Sequence, residues 1–432
     1  MLVAVHRGWS FRNFPWAMVL TAFALRLAAM SLLHSYRFPS IHDHYLFGTE
    51  MGRIARSLVS GGGFGSPLHG HTGPTAMVGP IYPFVVAAAF EVWGTYTTAS
   101  AMSLLTLNAL LSAITAAVIY LIGRRAFDKR TGTWAGWIWT VFPFAVYWPI
   151  VWVWDTSLST LLFALVLLAT LRLAQSMRTA DGARYGVLWG VAVLANTTFL
   201  PLLPAFLGWL CWRQSRCGQS WGRPAAAVAV AFAIVLTPWI VRNQVVFGRV
   251  LLRSNLGLEL ALGNSPGRDD PAAWQRIHPA VNPAEMARYR TLGELRYMAE
   301  KRRQALDFIT RHPALFARRT ATHVLYFWFG AGMPARVIRF PEVLFGLPAF
   351  VAIPGLWLAI ARRSPAAFPF TAVVALFPLV YYVTHPDLRF RHLIEPELMV
   401  LAAYGAGTIR RNRRTGARED RPGPATGPGE AT

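Results

Sequence analysis

Apolar runs separated by short basic turns recur along the whole chain, and that alternation predicts a bundle of membrane-spanning helices. After a first run at Trp16–Leu33, further runs occupy residues 98–122, 134–152, 156–173, 186–198, 199–212, 224–240, 342–361, 367–384 and 393–409. Several are shorter than the ~20 residues a perpendicular spanning helix needs. The 186–212 stretch is one long run broken at Pro201 and Pro204, and predicts a pair of short, tilted spans. The fold class is therefore an all-α polytopic membrane protein of about ten spans. The first run is taken as a retained span, because a long polar segment follows it rather than a small-residue cleavage site.

The piece Ile81–Trp93 decides the threading. If it spans, Arg124, Arg125, Lys129 and Arg130 fall outside and every later loop inverts. If it is interfacial or re-entrant, all the short basic loops fall inside, as the positive-inside rule asks. At ~13 residues, bounded by Pro80 and Pro83 and containing Glu91, it has the size of a re-entrant segment, and that option is taken. Both termini are then inside. Residues 1–241 form an N-terminal transmembrane module whose first outer loop, 35–80, holds an amphipathic stretch (Tyr45 to Leu58) suited to the membrane surface. Residues 242–320 form an outer-face soluble segment, with a helix expected over Glu294–Thr310. Residues 321–410 form a C-terminal transmembrane module, and 411–432 a disordered cytoplasmic tail.

Composition agrees with this picture. Hydrophobic residues make up 54% of the 432 and charged residues 14%, about half the usual globular share. The net charge of +22 suggests nucleic acid at first sight, but the arginines are dispersed between apolar runs, which is unlike a basic binding face. Cys211 and Cys217 give neither a disulfide framework nor a zinc ribbon. No internal repeat is visible, which weighs against an inverted-repeat transporter.

The threading gathers conspicuous polar residues at the outer face. His42, Asp43, His44, Glu50, His69 and His71 lie in the first loop, and Asp155 between two spans. Arg242 and Asn243 follow Thr237-Pro238-Trp239. His385, Asp387, Arg389, Arg391 and His392 lie between the last two spans, with Glu395 and Glu397 just beyond. Ionisable groups at a membrane are expensive and commonly functional. Bland alternatives stand beside each. Asp155 suits an N-cap, Arg242 and Arg391 suit snorkelling anchors, and the loop histidines suit plain surface positions. Arg26, inside the first span, is expected to neutralise an internal acid.

At these residues the chain resembles the GT-C superfamily of glycosyltransferases, and more narrowly glycosyltransferase family 39. That family includes protein O-mannosyltransferases and lipid A aminoarabinose transferases. The resemblance rests on Ile41-His42-Asp43-His44-Tyr45, on Gly79-Pro80-Ile81-Tyr82-Pro83, on Gly123-Arg124-Arg125-Ala126-Phe127-Asp128 and on Asp155. It rests also on Thr237 to Asn243, Asn255 to Asn264, and Arg389-Phe390-Arg391-His392 with Glu395-Pro396. The protein O-mannosyltransferases carry adjacent acids in the first loop, whereas Asp43 is flanked here by His42 and His44.

The resemblance implies a GT-C-type bundle with outer-face loops and juxtamembrane helices, in a bacterial inner membrane. It implies transfer of a monosaccharide from a polyprenyl-phosphate donor to a hydroxyl on an envelope lipid, glycan or protein, with inversion. Asp43 is then the general base, and Asp155 orients acceptor or sugar hydroxyls. Arg242 and Arg391 hold the phosphate, with Asn243, Arg389, His392, Tyr82 and His71 completing the substrate-binding set. No cofactor is obligatory; the histidine pairs 42/44 and 69/71 are a candidate divalent-metal site. The alternatives are a polyprenyl-lipid flippase or transporter, and an envelope-assembly subunit.

Overall fold

The computed structural model describes residues 15–39, 44–266, 273–330 and 342–419. His42 and Asp43 therefore lie outside the described residues. Everything regular in the described chain is helical, and the one β-contact is an isolated bridge between Gly65 and Pro74.

The first half runs α1 (Trp16–Leu33), α2 (Glu50–Val59), α3 (Ile81–Trp93), α4 (Thr98–Ala126), α5 (Lys129–Val141), α6 (Pro143–Val151), α7 (Thr156–Leu173), α8 (Thr179–Ala195), α9 (Leu202–Arg216) and α10 (Gly222–Phe247). The outer segment supplies α11 (Leu256–Gly263), α12 (Ala273–Ile277), α13 (Pro283–Leu292) and α14 (Glu294–Arg311). The last part holds α15 (Pro313–Phe329), α16 (Glu342–Ala361), α17 (Ala367–Leu376), α18 (Leu379–Val383), α19 (Leu388–His392) and α20 (Glu395–Glu419).

Among the described residues, α1, α4, α7, α10 and Leu344–Ala361 of α16 are each long and apolar enough to cross a membrane. The pair α5–α6, bent by 48°, makes a sixth candidate. Ten is reached only by adding the shorter or more polar helices α8, α9, α17–α18 and α20. The run 186–212 is indeed interrupted: α8 ends at Ala195, Asn196 takes an extended conformation, and α9 begins after Pro201. α20 continues to Glu419, past the point where a disordered tail was expected to begin, and Arg411 pairs with Asp128 at 3.3 Å.

Local chemistry explains the joints. Thr97 caps α4 by accepting from the Ser100 N–H at 3.1 Å, and Asp128 caps α5 by accepting from Thr131 N–H at 2.7 Å. The α5–α6 bend follows from Pro143, which has no N–H to offer the Trp139 carbonyl one turn earlier. Arg26 fills that gap. Its guanidinium donates to the carbonyls of Trp139 (3.4 Å), Thr140 (3.3 Å) and Ala22 (2.9 Å), and to Ser112 Oγ (3.0 Å). The partners of Arg26 are thus carbonyls and a hydroxyl rather than the internal acid expected from the sequence. Elsewhere in the bundle, Gly182, Gly186 and Gly190 recur every fourth residue on α8 and let α10 approach closely. A Cβ at Gly186 would lie 2.3 Å from the Val228 carbonyl oxygen.

α3 is too short to span unaided and packs against α2, α4 and α8, burying Tyr82, Val86 and Phe90. α2 is less surface-bound than its amphipathic pattern suggests, since even Arg53 is buried. The outer segment is bound to the first loop by Glu294, at the start of α14. Its carboxylate accepts from Ala76 N–H (2.7 Å), Ser254 Oγ (2.7 Å), Tyr289 OH (2.9 Å) and Thr75 Oγ1.

Candidate active site

The first outer loop is fixed onto the segment before α7. Val153 N–H donates to the Leu46 carbonyl at 3.0 Å, and Trp152 Nε1 to the Tyr45 carbonyl at 3.2 Å. Gly48, at φ +82°, permits the close approach: a Cβ there would stand 2.5 Å from the Val153 carbonyl oxygen. Two stretches about a hundred residues apart are thereby joined, and Glu50 and Asp155 reach the same cavity.

That cavity measures about 1340 Å³. One part of its wall is ionisable: Glu50, Asp155, Arg253, Glu259, His278 and Arg389 are all on it, joined by His385 and Asp387. Another part is apolar, with Leu200, Pro201, Ile240, Leu376, Phe377 and Val380. The polar wall thus draws on the first loop, the α6–α7 turn, the outer segment and the turn before α20.

Asp155 sits at the position before α7 but makes no capping hydrogen bond. Instead its Oδ2 accepts from Ser159 Oγ at 3.2 Å and faces Asn196 Nδ2 at 3.5 Å. Burial pushes its carboxyl above the ordinary carboxylate range, and the positive charges of Arg253 and Arg389 pull partly back. Burial likewise raises Glu50, against Arg53 and Arg389. His278 is driven down to about 3 by burial, aided by His385 and Arg53, so its imidazole is neutral at ordinary pH.

Arg389 packs its guanidinium over Trp154 (3.9 Å to the ring centre) and Trp152 (4.9 Å), with Asp387 at 3.7 Å. Among the described residues its Nη1 has no hydrogen-bond partner. Arg253 donates from Nε to the Met77 carbonyl at 2.8 Å and also lines the cavity. Of the arginines that line the cavity, Arg253 and Arg389 act on the buried Asp155 carboxylate, an arrangement able to take a phosphoryl group next to a proton acceptor.

Of the described residues given a role from the sequence, Asp155 and Arg389 line the cavity and Arg242, Asn243, Arg391, His392, Tyr82 and His71 do not; Glu50, His385 and Asp387, noted at the outer face without a role, line it too. Arg242 donates to the carbonyls of Thr75 (2.7 Å) and Phe64 (2.7 Å) and to Asn243 Oδ1 (2.8 Å), holding the first loop to the end of α10. Asn243 donates in turn to the Leu251 carbonyl at 2.9 Å. Arg391 is fully buried, bonded to the carbonyls of Trp328 and Phe345 and to Glu395 at 2.9 Å, while His392 contacts the same carboxylate. Tyr82 donates to Asn108 Oδ1 at 2.9 Å between α3 and α4. His71 is exposed on the first loop, and His69 stands 3.3 Å from Arg53. Among the described residues no three histidine, cysteine or acidic side chains converge as metal ligands.

Several wall residues carried no assigned role in the sequence, among them Glu50, Arg253, Glu259 and His278. Glu50 had the signal of a second acid in the first loop. Glu259 lay inside the Asn255–Asn264 motif. Arg253 was one of many arginines in the outer segment, and His278 had no signal at all.

Known proteins give an independent comparison. The family described as dolichyl-phosphate-mannose-protein mannosyltransferase matches residues 77–241. No curated protein matches by sequence. In fold, the chain is similar to the apo oligosaccharyltransferase of Archaeoglobus fulgidus, with a TM-score of 0.53 and 13% identity over 96% of this chain and 52% of that one. It is similar also to the AglB oligosaccharyltransferase of the same organism in complex with an inhibitory peptide and a dolichol-phosphate. There the TM-score is 0.51, with 13% identity over 97% of this chain and 53% of that one. The chain thus spans about half the length of these structures. In sequence over 77–241 and in fold over nearly its whole length, this polytopic membrane protein resembles the GT-C glycosyltransferases, and its all-helical architecture is theirs.

Proposed function

We propose that the chain transfers a monosaccharide from a polyprenyl-phosphate donor to a hydroxyl acceptor at the outer face of a bacterial inner membrane. The observation that carries this is the cavity's mixed lining: Arg253 and Arg389 acting on the buried Asp155, together with a set of apolar side chains. A lipid-linked sugar phosphate combines the same two chemistries. The isoprenoid chain fits the side of Leu200, Ile240 and Phe377, and the phosphate the side of Arg389 and Arg253.

In this reading Arg389 and Arg253 take the phosphate role, because Arg242 and Arg391 have their N–H groups engaged by carbonyls away from the cavity. The acceptor oxygen attacks the anomeric carbon as the bond to the phosphate oxygen breaks. The acceptor proton passes to a carboxylate, and polyprenyl phosphate leaves with the bonding pair. Configuration inverts. Asp43 is the proposed base, one residue before the loop that is fixed onto the Asp155 segment, and Asp155 orients the attacking or sugar hydroxyls. Guanidinium groups stabilise the charge that the phosphate gains.

The test is transfer of radiolabel from a polyprenyl-phosphate sugar by the purified protein in proteoliposomes. Transfer that disappears in Arg389→Ala supports the proposal. Lipid movement across the bilayer without transfer would favour a flippase instead.

A further inference from the structure

Arg253 is held in the cavity wall by irregular chain, and what fixes that chain lies behind the wall. Its Nε donates to the Met77 carbonyl at 2.8 Å, and one residue on, the Ser254 N–H donates to the Ala76 carbonyl at 2.9 Å. Neither residues 75–78 nor residues 251–254 belong to a helix or a strand, so no regular ladder sets this register.

Glu294, at the start of α14, sets it instead. One carboxylate oxygen accepts from the Ala76 N–H (2.7 Å) and Ser254 Oγ (2.7 Å), and the other from Thr75 Oγ1 and Tyr289 OH (2.9 Å). Thr75 Oγ1 in turn accepts from the Met77 N–H at 3.0 Å. The carboxylate thus holds the residue before Met77 and the residue after Arg253, on both flanks of the Arg253–Met77 hydrogen bond. Arg242 adds a bond to the Thr75 carbonyl at 2.7 Å, and the charge of Glu294 acts on it. Glu294 is 5% exposed, and neither it nor Arg242, Thr75, Ala76 or Ser254 reaches the cavity, whereas Met77 and Arg253 line it. Four donors fill the acceptor sites of an ionised carboxylate, so Glu294 is a fixed point against which both stretches are set.

Resting on the glycosyl-transfer reading above, we propose that Glu294 is a positioning residue for donor binding, aiming the Arg253 guanidinium at the lipid phosphate by fixing Ala76–Met77 and Arg253–Ser254 against each other. With Nε committed to Met77, the terminal nitrogens of Arg253 are the ones that meet the phosphate. Such a fork binds well only where its nitrogens reach their oxygens together, so a small shift of the wall weakens it. The outer segment, through Glu294, takes part in donor binding without touching the donor.

The experiment titrates the full-length protein in detergent with undecaprenyl phosphate and with undecaprenol, which lacks the phosphate. Affinity is read from the rise in melting temperature over each variant's own lipid-free value. Arg253→Ala should weaken undecaprenyl phosphate about 10–100-fold, the scale of a lost hydrogen bond to a charged group, and leave undecaprenol unchanged. Glu294→Gln keeps one acceptor oxygen and Ser254→Ala removes one contact. Each should weaken undecaprenyl phosphate about 3–10-fold, again with undecaprenol unchanged. Should Glu294→Gln fail to fold, Ser254→Ala carries the test. In an Arg253→Ala background both should have no further effect, because a residue that acts through Arg253 has nothing left to position. Equal losses for the two lipids, additive losses in the double variants, or wild-type affinity in both single variants would overturn the proposal and leave the glycosyl-transfer reading standing. A wild type that binds undecaprenyl phosphate no better than undecaprenol contradicts that reading, and the proposal falls with it. So does an Arg253→Ala that binds the phosphate as wild type does.

Discussion

At Asp155 and Arg389 the function of a side chain is separated from its position in a helix. Asp155 leaves the N–H groups of α7 uncapped, so Asp155→Asn should hardly change the melting temperature while lowering single-turnover transfer. Asp43→Asn should lower that rate about 10²–10⁴-fold with donor binding retained, as for loss of a general base. A near wild-type rate in Asp43→Asn would pass the role to Asp155. The two nearby arginines should also part company. Arg389→Lys loses the planar fork and its stacking on Trp154, so donor KM should rise with the fold intact. Arg391→Lys breaks buried contacts to Trp328, Phe345 and Glu395, so the melting temperature should fall. His278 has its own pH signature. Its folded pKa lies near 3, below the ordinary 6.5, so the unfolded chain binds the extra proton between those values and stability from this residue is lost as pH falls through that window. The melting temperature of wild type minus that of His278→Gln should therefore increase as pH rises from about 4 to 7. A flat difference would show that His278 is not held neutral.

Among the helices, what the sequence displays is hydropathy along the chain, and what it hides is rotation about each axis. The apolar runs locate α4, α7, α10 and α16, and Pro201 marks the interruption between α8 and α9, because length and proline chemistry are local properties. Arg389 and Arg391 look equivalent on paper. Two residues apart on a helix, they point about 200° away from each other, one to the cavity and one into the protein. Arg26 was conspicuous as a charge within a span, but among its partners are the Trp139 and Thr140 carbonyls at the Pro143 bend, more than a hundred residues later. His278 acquires its meaning only when α12 and α13 fold back over the first loop, which no local pattern announces. The small-residue face of α8 yields a prediction of its own. Gly186→Leu should force α8 from α10, since a Cβ there already overlaps Val228, and should lower the melting temperature far more than Gly208→Leu, where a Cβ meets open space.

For the whole molecule, the arrangement of the site depends on which helices cross the membrane, and α3 is the element on which that turns. Its 13 residues pack sideways on α2 and α4, and its end at Gly94 leads within a few residues into the 29-residue α4. If α3 stays at the outer surface, α4 carries the chain inward, and the basic turn Arg124–Arg130 lies in the cytoplasm. The bent pair α5–α6 then returns the chain to Asp155 outside, on the same side as the first loop and the outer segment that share the cavity wall with it. With α5–α6 crossing as one bent span, an α3 that also crossed would put Asp155 and Glu50 on opposite faces of the membrane, against their common cavity and the Leu46–Val153 hydrogen bond. Cysteine labelling reads this out directly. With Cys211 and Cys217 replaced by serine, a cysteine at the exposed Arg130 should resist an impermeant reagent in intact cells, and one at the exposed Ala287 should react. Permeabilised cells should label both, which controls for accessibility within the fold. Labelling of Arg130→Cys in intact cells would overturn this threading: either α3 spans, against the shared cavity, or the whole bundle is inverted, against the positive-inside pattern.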